Sequence, residues 1–306
     1  MDMSALLIKM VIFAFLIAAG YIGAKKGTLG EEFTKGTSSL LLKIFIVASI
    51  LNSVLGERPE LSGSELGNAL LCLLIAIVLP YALGLVFILL FYRKDRNAPQ
   101  IELLVSVVNN LFVGLPVLAA IVGSEGVFYM GMSTILYNPI LYTYGIWRLK
   151  QGQSDRRISI KDMITIPLVG ALVAGAIFLL DIQLPGVLTE LISTLSAATI
   201  PISMIVIGAT LGKIKLKDAF TDKVSYVISF VSLVISPIVV WYALGPVTGN
   251  QVLRISCAVM AGCPCAVILT PLSVKYGYNP EISSKAIMVS TILCMFTLPI
   301  FIKLFY

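Results

Sequence analysis

The stretch that decides the fold runs from residue 101 to residue 123 and reads IELLVSVVNNLFVGLPVLAAIVG. It is apolar enough to cross a bilayer, yet its centre holds Asn109, Asn110, Gly114 and Pro116. Proline removes a backbone donor and clashes with the preceding helical turn, and glycine weakens a helix by about 1 kcal/mol. Asparagine is costly in hydrocarbon unless it finds partners. The stretch therefore predicts a broken helix that faces protein or a water-filled cavity.

Apolar blocks of similar length fill the rest of the chain. Of its 306 residues, 58% are hydrophobic and only 12% are charged, whereas soluble domains carry about 25% charged residues. A membrane span needs about 20 apolar residues, so no sizeable soluble domain remains. We predict an all-α integral membrane protein with ten transmembrane helices, at residues 5–23, 38–56, 66–92, 101–123, 126–147, 163–181, 186–212, 224–246, 251–275 and 282–304.

The basic residues between these spans predict the orientation. They concentrate in the odd-numbered loops, whereas the even-numbered loops offer Arg58 and, just inside span nine, Arg254. The positive-inside rule then places the odd loops in the cytoplasm and both termini outside, in the plasma or inner membrane. At the first span the charges follow the apolar stretch, which predicts a retained helix and not a signal peptide. Charges near helix ends, among them Glu102, are expected to reach the interface by snorkelling.

The prolines indicate an internal repeat. Pro80 in span three matches Pro237 in span eight, and Pro139 in span five matches Pro299 in span ten. Gly114 and Pro116 in span four match Gly262 and Pro264 in span nine in the same way. Because each half has five spans, the second half enters the membrane from the opposite side. We predict inverted five-helix repeats at residues 1–147 and 163–306, joined by a cytoplasmic linker at 148–162.

Two broken helices at matching depth predict a binding site. Unwound backbone and half-helix N-termini favour an anion, for which a carboxylate is the natural candidate. Asn138 and Tyr142 share a face of span five, and Asn52 in span two is a weaker candidate. Packing kinks without a ligand, or a hydrogen bond between helices at Asn138 and Tyr142, are the alternatives. The expected substrate-binding residues are Asn52, Asn109, Asn110, Gly114, Pro116, Asn138, Tyr142, Gly262 and Pro264.

Several functional classes find no support in the residues. The chain has no histidine, which removes His-based catalysis and His metal ligands. Its five cysteines lie inside apolar blocks, and Cys263-Pro264-Cys265 does not match C-x-x-C spacing. The basic residues behind the net charge of +6 lie in the loops between spans, so they indicate topology and not nucleic-acid binding. We expect no catalytic residues, no metal site and no cofactor.

Three motifs resemble the auxin efflux carrier family, which includes the plant PIN-formed transporters. The segment 109–116, NNLFVGLP, is similar to the family's span-four crossover. Ala198-Thr199-Ile200-Pro201 followed by 207–212, IGATLG, is similar to its span seven. The end of the chain, from Tyr276-Gly277 to Thr297-Leu298-Pro299, is similar to its last helix. The resemblance covers nearly the whole chain.

The resemblance implies a fold like that of bile-acid symporters, with broken helices four and nine that cross. Spans one, two, six and seven would form a scaffold, through which a homodimer would form, and spans three to five and eight to ten a moving transport domain. Family substrates are organic anions, which are auxin in plants and malate- or malonate-like carboxylates in bacteria. Ala48 stands where the family commonly has proline, span three lacks the plant charged pair, and loop 5 is short.

The expected function is therefore secondary active transport of a small organic anion by an elevator mechanism, coupled to H⁺ or Na⁺. A membrane sensor that binds the same ligand without transport is the alternative, although the chain shows no output domain. An intramembrane enzyme would need a nucleophile with a base, or a metal site, and the sequence offers neither.

Overall fold

A computed structural model describes residues 3–55, 61–151, 164–212 and 220–305. Within these ranges the regular structure is helical, and the exception is a single β-bridge between Val108 and Cys265. The helices are α1 Met3–Lys25, α2 Glu31–Leu55, α3 Gly63–Phe91, α4 Ala98–Ser106, α5 Asn110–Ile121, α6 124–149, α7 Ile166–Leu179, α8 Gly186–Leu211, α9 Lys223–Leu244, α10 Gln251–Ala261, α11 Leu269–Lys275 and α12 Pro280–Phe305.

These helices fit a multi-pass membrane protein. Among the described residues, α2, α3, α8, α9 and α12 are long and apolar enough to cross a membrane by length and composition. Shorter apolar helices overlap four further predicted spans, at Val11–Lys25, Asn110–Ile121, Ile166–Leu179 and Gln251–Ala261. Predicted spans four and nine each consist of two helices. The count of ten spans and the inverted repeat stay predictions.

Local sequence explains where several helices begin or distort. The side chains of Asp222 and Asn250 accept hydrogen bonds from backbone N–H groups three residues on, which caps α9 and α10. Pro80, Pro139 and Pro299 lie inside α3, α6 and α12. The helix nevertheless continues, because neighbouring groups can satisfy the backbone that proline leaves unpaired.

Among the described residues, three helices contain an interior π turn, at Leu41–Phe45 in α2, Leu141–Gly145 in α6 and Val231–Ile235 in α9. Two of them lie next to a proline: the turn in α6 follows Pro139, and the turn in α9 precedes Pro237. Such turns mark places where the regular helical hydrogen bonding is disrupted, and they are frequent at functional sites.

The chain divides into two compact units. Unit 1 comprises Met1–Leu70, Leu111–Ile135 and Ile164–Lys213, and unit 2 comprises Leu71–Asn110, Leu136–Met163 and Ile214–Tyr306. The predicted division into five-helix repeats, and into scaffold and transport domain, stays a prediction. Most of the predicted linker, at 152–162, lies outside the described residues, as do Arg58 and the basic residues at 213–217.

Candidate functional site

The break in predicted span four lies in unit 2. Helix α4 ends at Ser106, and Val107 takes up an extended conformation, with φ −94° and ψ 109°. The Ser106 hydroxyl is 2.7 Å from the carbonyl oxygen of Glu102 and 3.1 Å from that of Pro80, and it can donate to either. Asn110 begins α5, so that only Val107, Val108 and Asn109 separate the two helices.

The break in predicted span nine lies in the same unit. Helix α10 ends at Ala261, and irregular backbone follows until α11 begins at Leu269. Gly262 packs closely here, because a Cβ at this position would lie 3.3 Å from the Pro237 ring, and one of the two would have to shift slightly. The thiols of Cys263 and Cys265 are buried, and each donates to a backbone carbonyl.

The two breaks pair with each other as short antiparallel strands. The Asn109 N–H donates to the Pro264 carbonyl at 2.7 Å, and the Ala266 N–H donates to the Val107 carbonyl at 2.9 Å. Each break thereby supplies partners for the other's backbone, as membrane-buried polar groups require. We call Val107–Asn109 together with Pro264–Ala266 the crossing.

Unit 2 contains six of the nine predicted site residues. Asn109 and Pro264 are joined directly by the backbone hydrogen bond of the crossing, and Gly262 precedes it. Asn109 and Asn110 are buried, each 6% exposed, and the Asn110 side-chain nitrogen has no hydrogen-bond partner among the described residues. A buried donor left without a partner needs an explanation, and a ligand is one.

The middle of α6 lies beside the crossing. The Tyr137 hydroxyl is hydrogen-bonded to the backbone of Val108, at 2.7 Å from its nitrogen. Asn138 follows and is buried, and Tyr142 is half-buried one turn later. The prediction missed Tyr137, although Tyr137-Asn138-Pro139 is a conspicuous triplet within an apolar span.

The other three predicted residues belong to unit 1, where a cavity of about 290 Å³ lies. Asn52 lines this cavity, and so does Leu115, which stands between Gly114 and Pro116. Its remaining wall is rich in hydroxyl groups and small side chains, and none of the described residues that line it is charged. The full lining is Ser49, Asn52, Ser53, Leu115, Ala119, Gly123, Ser124, Val127, Ser196, Ala197 and Ile200.

Glu102 does not snorkel, contrary to the prediction from its position near a helix end. Its side chain is fully buried in unit 2, where the Arg148 guanidinium donates two hydrogen bonds to Oε2, one of them at 2.6 Å, and the Tyr144 hydroxyl donates to Oε1. Arg148 is itself only 7% exposed and is not a loop residue. A charged side chain in a membrane helix either snorkels to water or forms an ion pair inside the protein. Glu102 forms an ion pair.

Known proteins resemble this chain over nearly its full length. The sequence profile of the membrane transport protein family matches residues 5–302. A protein of Methanothermobacter thermautotrophicus, named an uncharacterized transporter, is 26% identical over 293 residues, which is 93% of each chain. An uncharacterized transporter of Methanocaldococcus jannaschii is 23% identical over 299 residues, which is 92% of each chain. The chain therefore belongs to the membrane transport protein family, the auxin efflux carrier or PIN-like family that its motifs resemble.

Proposed function

We propose that this membrane transporter is a secondary active carrier of a small organic anion, a carboxylate or an auxin-like acid. The ligand binds at the crossing, where Asn109, Asn110, Asn138 and Tyr142 supply polar groups. Spans three to five and eight to ten carry it across the membrane by an elevator movement against a scaffold of spans one, two, six and seven. A proton or sodium gradient drives the movement.

The observation that carries this proposal is the Asn110 side-chain nitrogen beside the crossing, which has no hydrogen-bond partner among the described residues. An amide nitrogen is a hydrogen-bond donor, so the missing partner is an acceptor. Carboxylate oxygens are strong acceptors that form short, charge-assisted bonds with such donors. Glu102, the one buried carboxylate among the described residues, is already neutralised by Arg148 and does not repel an anion.

Uptake of radiolabelled carboxylates into proteoliposomes tests the proposal. We expect saturable uptake of a malate- or malonate-like acid, driven by a proton or sodium gradient and collapsed by the matching ionophore. Asn110→Ala should raise KM about tenfold, because a hydrogen bond to a charged group contributes roughly 1.5–3 kcal/mol. Asn109→Ala should also weaken uptake.

Asn97→Ala is the matched control, since Asn97 lies in the loop before α4 and its side chain contacts Asp95. Its KM should equal that of the wild type. If no organic anion moves under any gradient, or if Asn110→Ala leaves KM unchanged, the site is wrong. Ligand binding without uptake or counterflow would indicate a sensor.

A further inference from the structure

The crossing has two outer edges as well as the inner edge where its strands pair. Its hydrogen bonds join Asn109 to Pro264 and Ala266 to Val107, which makes Val108 and Cys265 a non-hydrogen-bonded pair. The N–H and C=O groups of those two residues therefore point away from the partner strand. In a membrane interior these outward groups need partners of their own.

A tyrosine hydroxyl forms hydrogen bonds with the outward backbone groups on the span-four side. Tyr137 on α6 accepts a hydrogen bond from the Val108 N–H at 2.7 Å and donates one to the Val108 carbonyl at 3.1 Å. One side-chain hydroxyl thus satisfies both backbone groups of this residue, in the way that a third strand would. Tyr137 is buried, so water does not compete for these bonds.

A serine hydroxyl satisfies the outward N–H group on the span-nine side. Ser290 on α12 accepts a hydrogen bond from the Cys265 N–H at 3.1 Å and donates to the Ile287 carbonyl at 3.1 Å. Ser290 is fully buried. The two hydroxyls come from predicted spans five and ten, which are the corresponding spans of the two predicted repeats.

We propose that Tyr137 and Ser290 are a matched pair of positioning residues that hold the two strands of the crossing in register from outside. Tyr137 fixes Val108, and through it the backbone that presents Asn109 and Asn110. Ser290 fixes Cys265, which lies between Pro264 and Ala266. This inference rests on the proposed function for its effect on transport, but its effect on the backbone is independent of the ligand.

Two other buried hydroxyls in unit 2 supply matched controls. The hydroxyls of Tyr81 and Ser232 have no hydrogen-bond partner among the described residues, and both side chains are buried. Tyr81→Phe therefore removes the same atom as Tyr137→Phe without breaking a hydrogen bond, and Ser232→Ala matches Ser290→Ala in the same way. Each pair isolates the hydrogen bond from the change of side chain.

Hydrogen–deuterium exchange of the purified protein in nanodiscs gives the first readout. In Tyr137→Phe the peptide that contains Val107–Asn109 should exchange about ten times faster, because buried backbone groups lose their partner. In Ser290→Ala the peptide that contains Cys263–Ala266 should respond similarly. Tyr81→Phe and Ser232→Ala should leave both peptides at the wild-type rate, and equal exchange in a variant and its control overturns the inference for that residue.

Uptake kinetics give the second readout. Tyr137→Phe and Ser290→Ala should raise KM about tenfold relative to their controls, with the amount of folded protein in the vesicles unchanged. A loss of Vmax alone, with KM unchanged, contradicts the positioning role. If the wild-type protein takes up no organic anion, the proposed function fails, and the exchange data alone then decide the role of the two hydroxyls.

Discussion

At the scale of single residues, Glu102 and Arg148 form an ion pair in unit 2 in which both side chains are buried. The carboxylate is fully buried and receives bonds from the guanidinium and from the Tyr144 hydroxyl. Gly84 on α3 packs closely against α4, since a Cβ there would lie 2.8 Å from the backbone carbonyl oxygen of Glu102. The pair therefore joins α4, whose end forms the crossing, to the end of α6. The stability of the folded protein therefore depends on both charges being present.

Glu102→Gln should destabilise the protein by roughly 3–5 kcal/mol, because it leaves the Arg148 guanidinium buried and unpaired. The double variant Glu102→Gln with Arg148→Gln should recover most of that loss, since no charge then stays buried. Both effects can be read from denaturation in mixed micelles. A double variant no more stable than the single one would contradict the account.

Glu281→Gln is the control for that experiment. Glu281 also pairs with a basic residue, Lys285, but its side chain is 72% exposed. An exposed helical pair of this kind contributes about 0.3–0.5 kcal/mol, so its removal should be barely measurable.

At the scale of elements, α1 and α8 pack in unit 1 with almost no side chain between them. A Cβ on Gly20 would lie 2.1 Å from the Ile205 carbonyl oxygen, and a Cβ on Gly208 would lie 1.9 Å from that of Ile17. Real Cβ atoms do not come that close, so this spacing requires glycine on both helices. Small residues that allow close backbone approach are the usual basis of helix association in membranes.

Gly208→Ala should push α1 and α8 apart and lower the free energy of unfolding by about 3 kcal/mol, since overpacking against backbone cannot be relieved by a rotamer change. Gly67→Ala is the matched control, because Gly67 lies in α3 with nothing within 4 Å of an added Cβ. That substitution should stabilise the helix by roughly 0.5–1 kcal/mol. Equal melting temperatures of the two variants in detergent would disprove the close packing.

At the scale of the whole molecule, the predicted orientation can be tested with single thiols. The native cysteines among the described residues are all buried, so introduced cysteines should dominate labelling. Gly249, in the predicted outer loop before α10, has no atom within 4 Å of an added Cβ, and Lys94, in a predicted cytoplasmic loop, is exposed. A membrane-impermeant maleimide should label Gly249→Cys in intact cells and Lys94→Cys only after permeabilisation. The opposite pattern would reverse the orientation, since the basic loops would then face outward.

The sequence alone determined that the protein lies in a membrane, that it is helical, and where predicted spans four and nine break. Long apolar blocks are unsuited to a water-exposed surface, and a proline or a pair of asparagines within such a block conflicts with a continuous helix. Both features are local, so they can be recognised without knowing which residues they contact. The family could also be recognised from the sequence, because its motifs are short and local. Asn109 and Pro264 could be proposed as site residues for the same reason.

Only the tertiary structure decided how the breaks are satisfied and which charges are paired. The partners of Val108, Cys265 and Glu102 are side chains on other helices, far away in the sequence, and no local pattern encodes their approach. Glu102 illustrates the limit, because its place near a helix end predicts snorkelling equally well whether or not an arginine lies beside it. Hydrogen bonds and ion pairs depend on distances of a few ångströms, and these are set by how the helices pack.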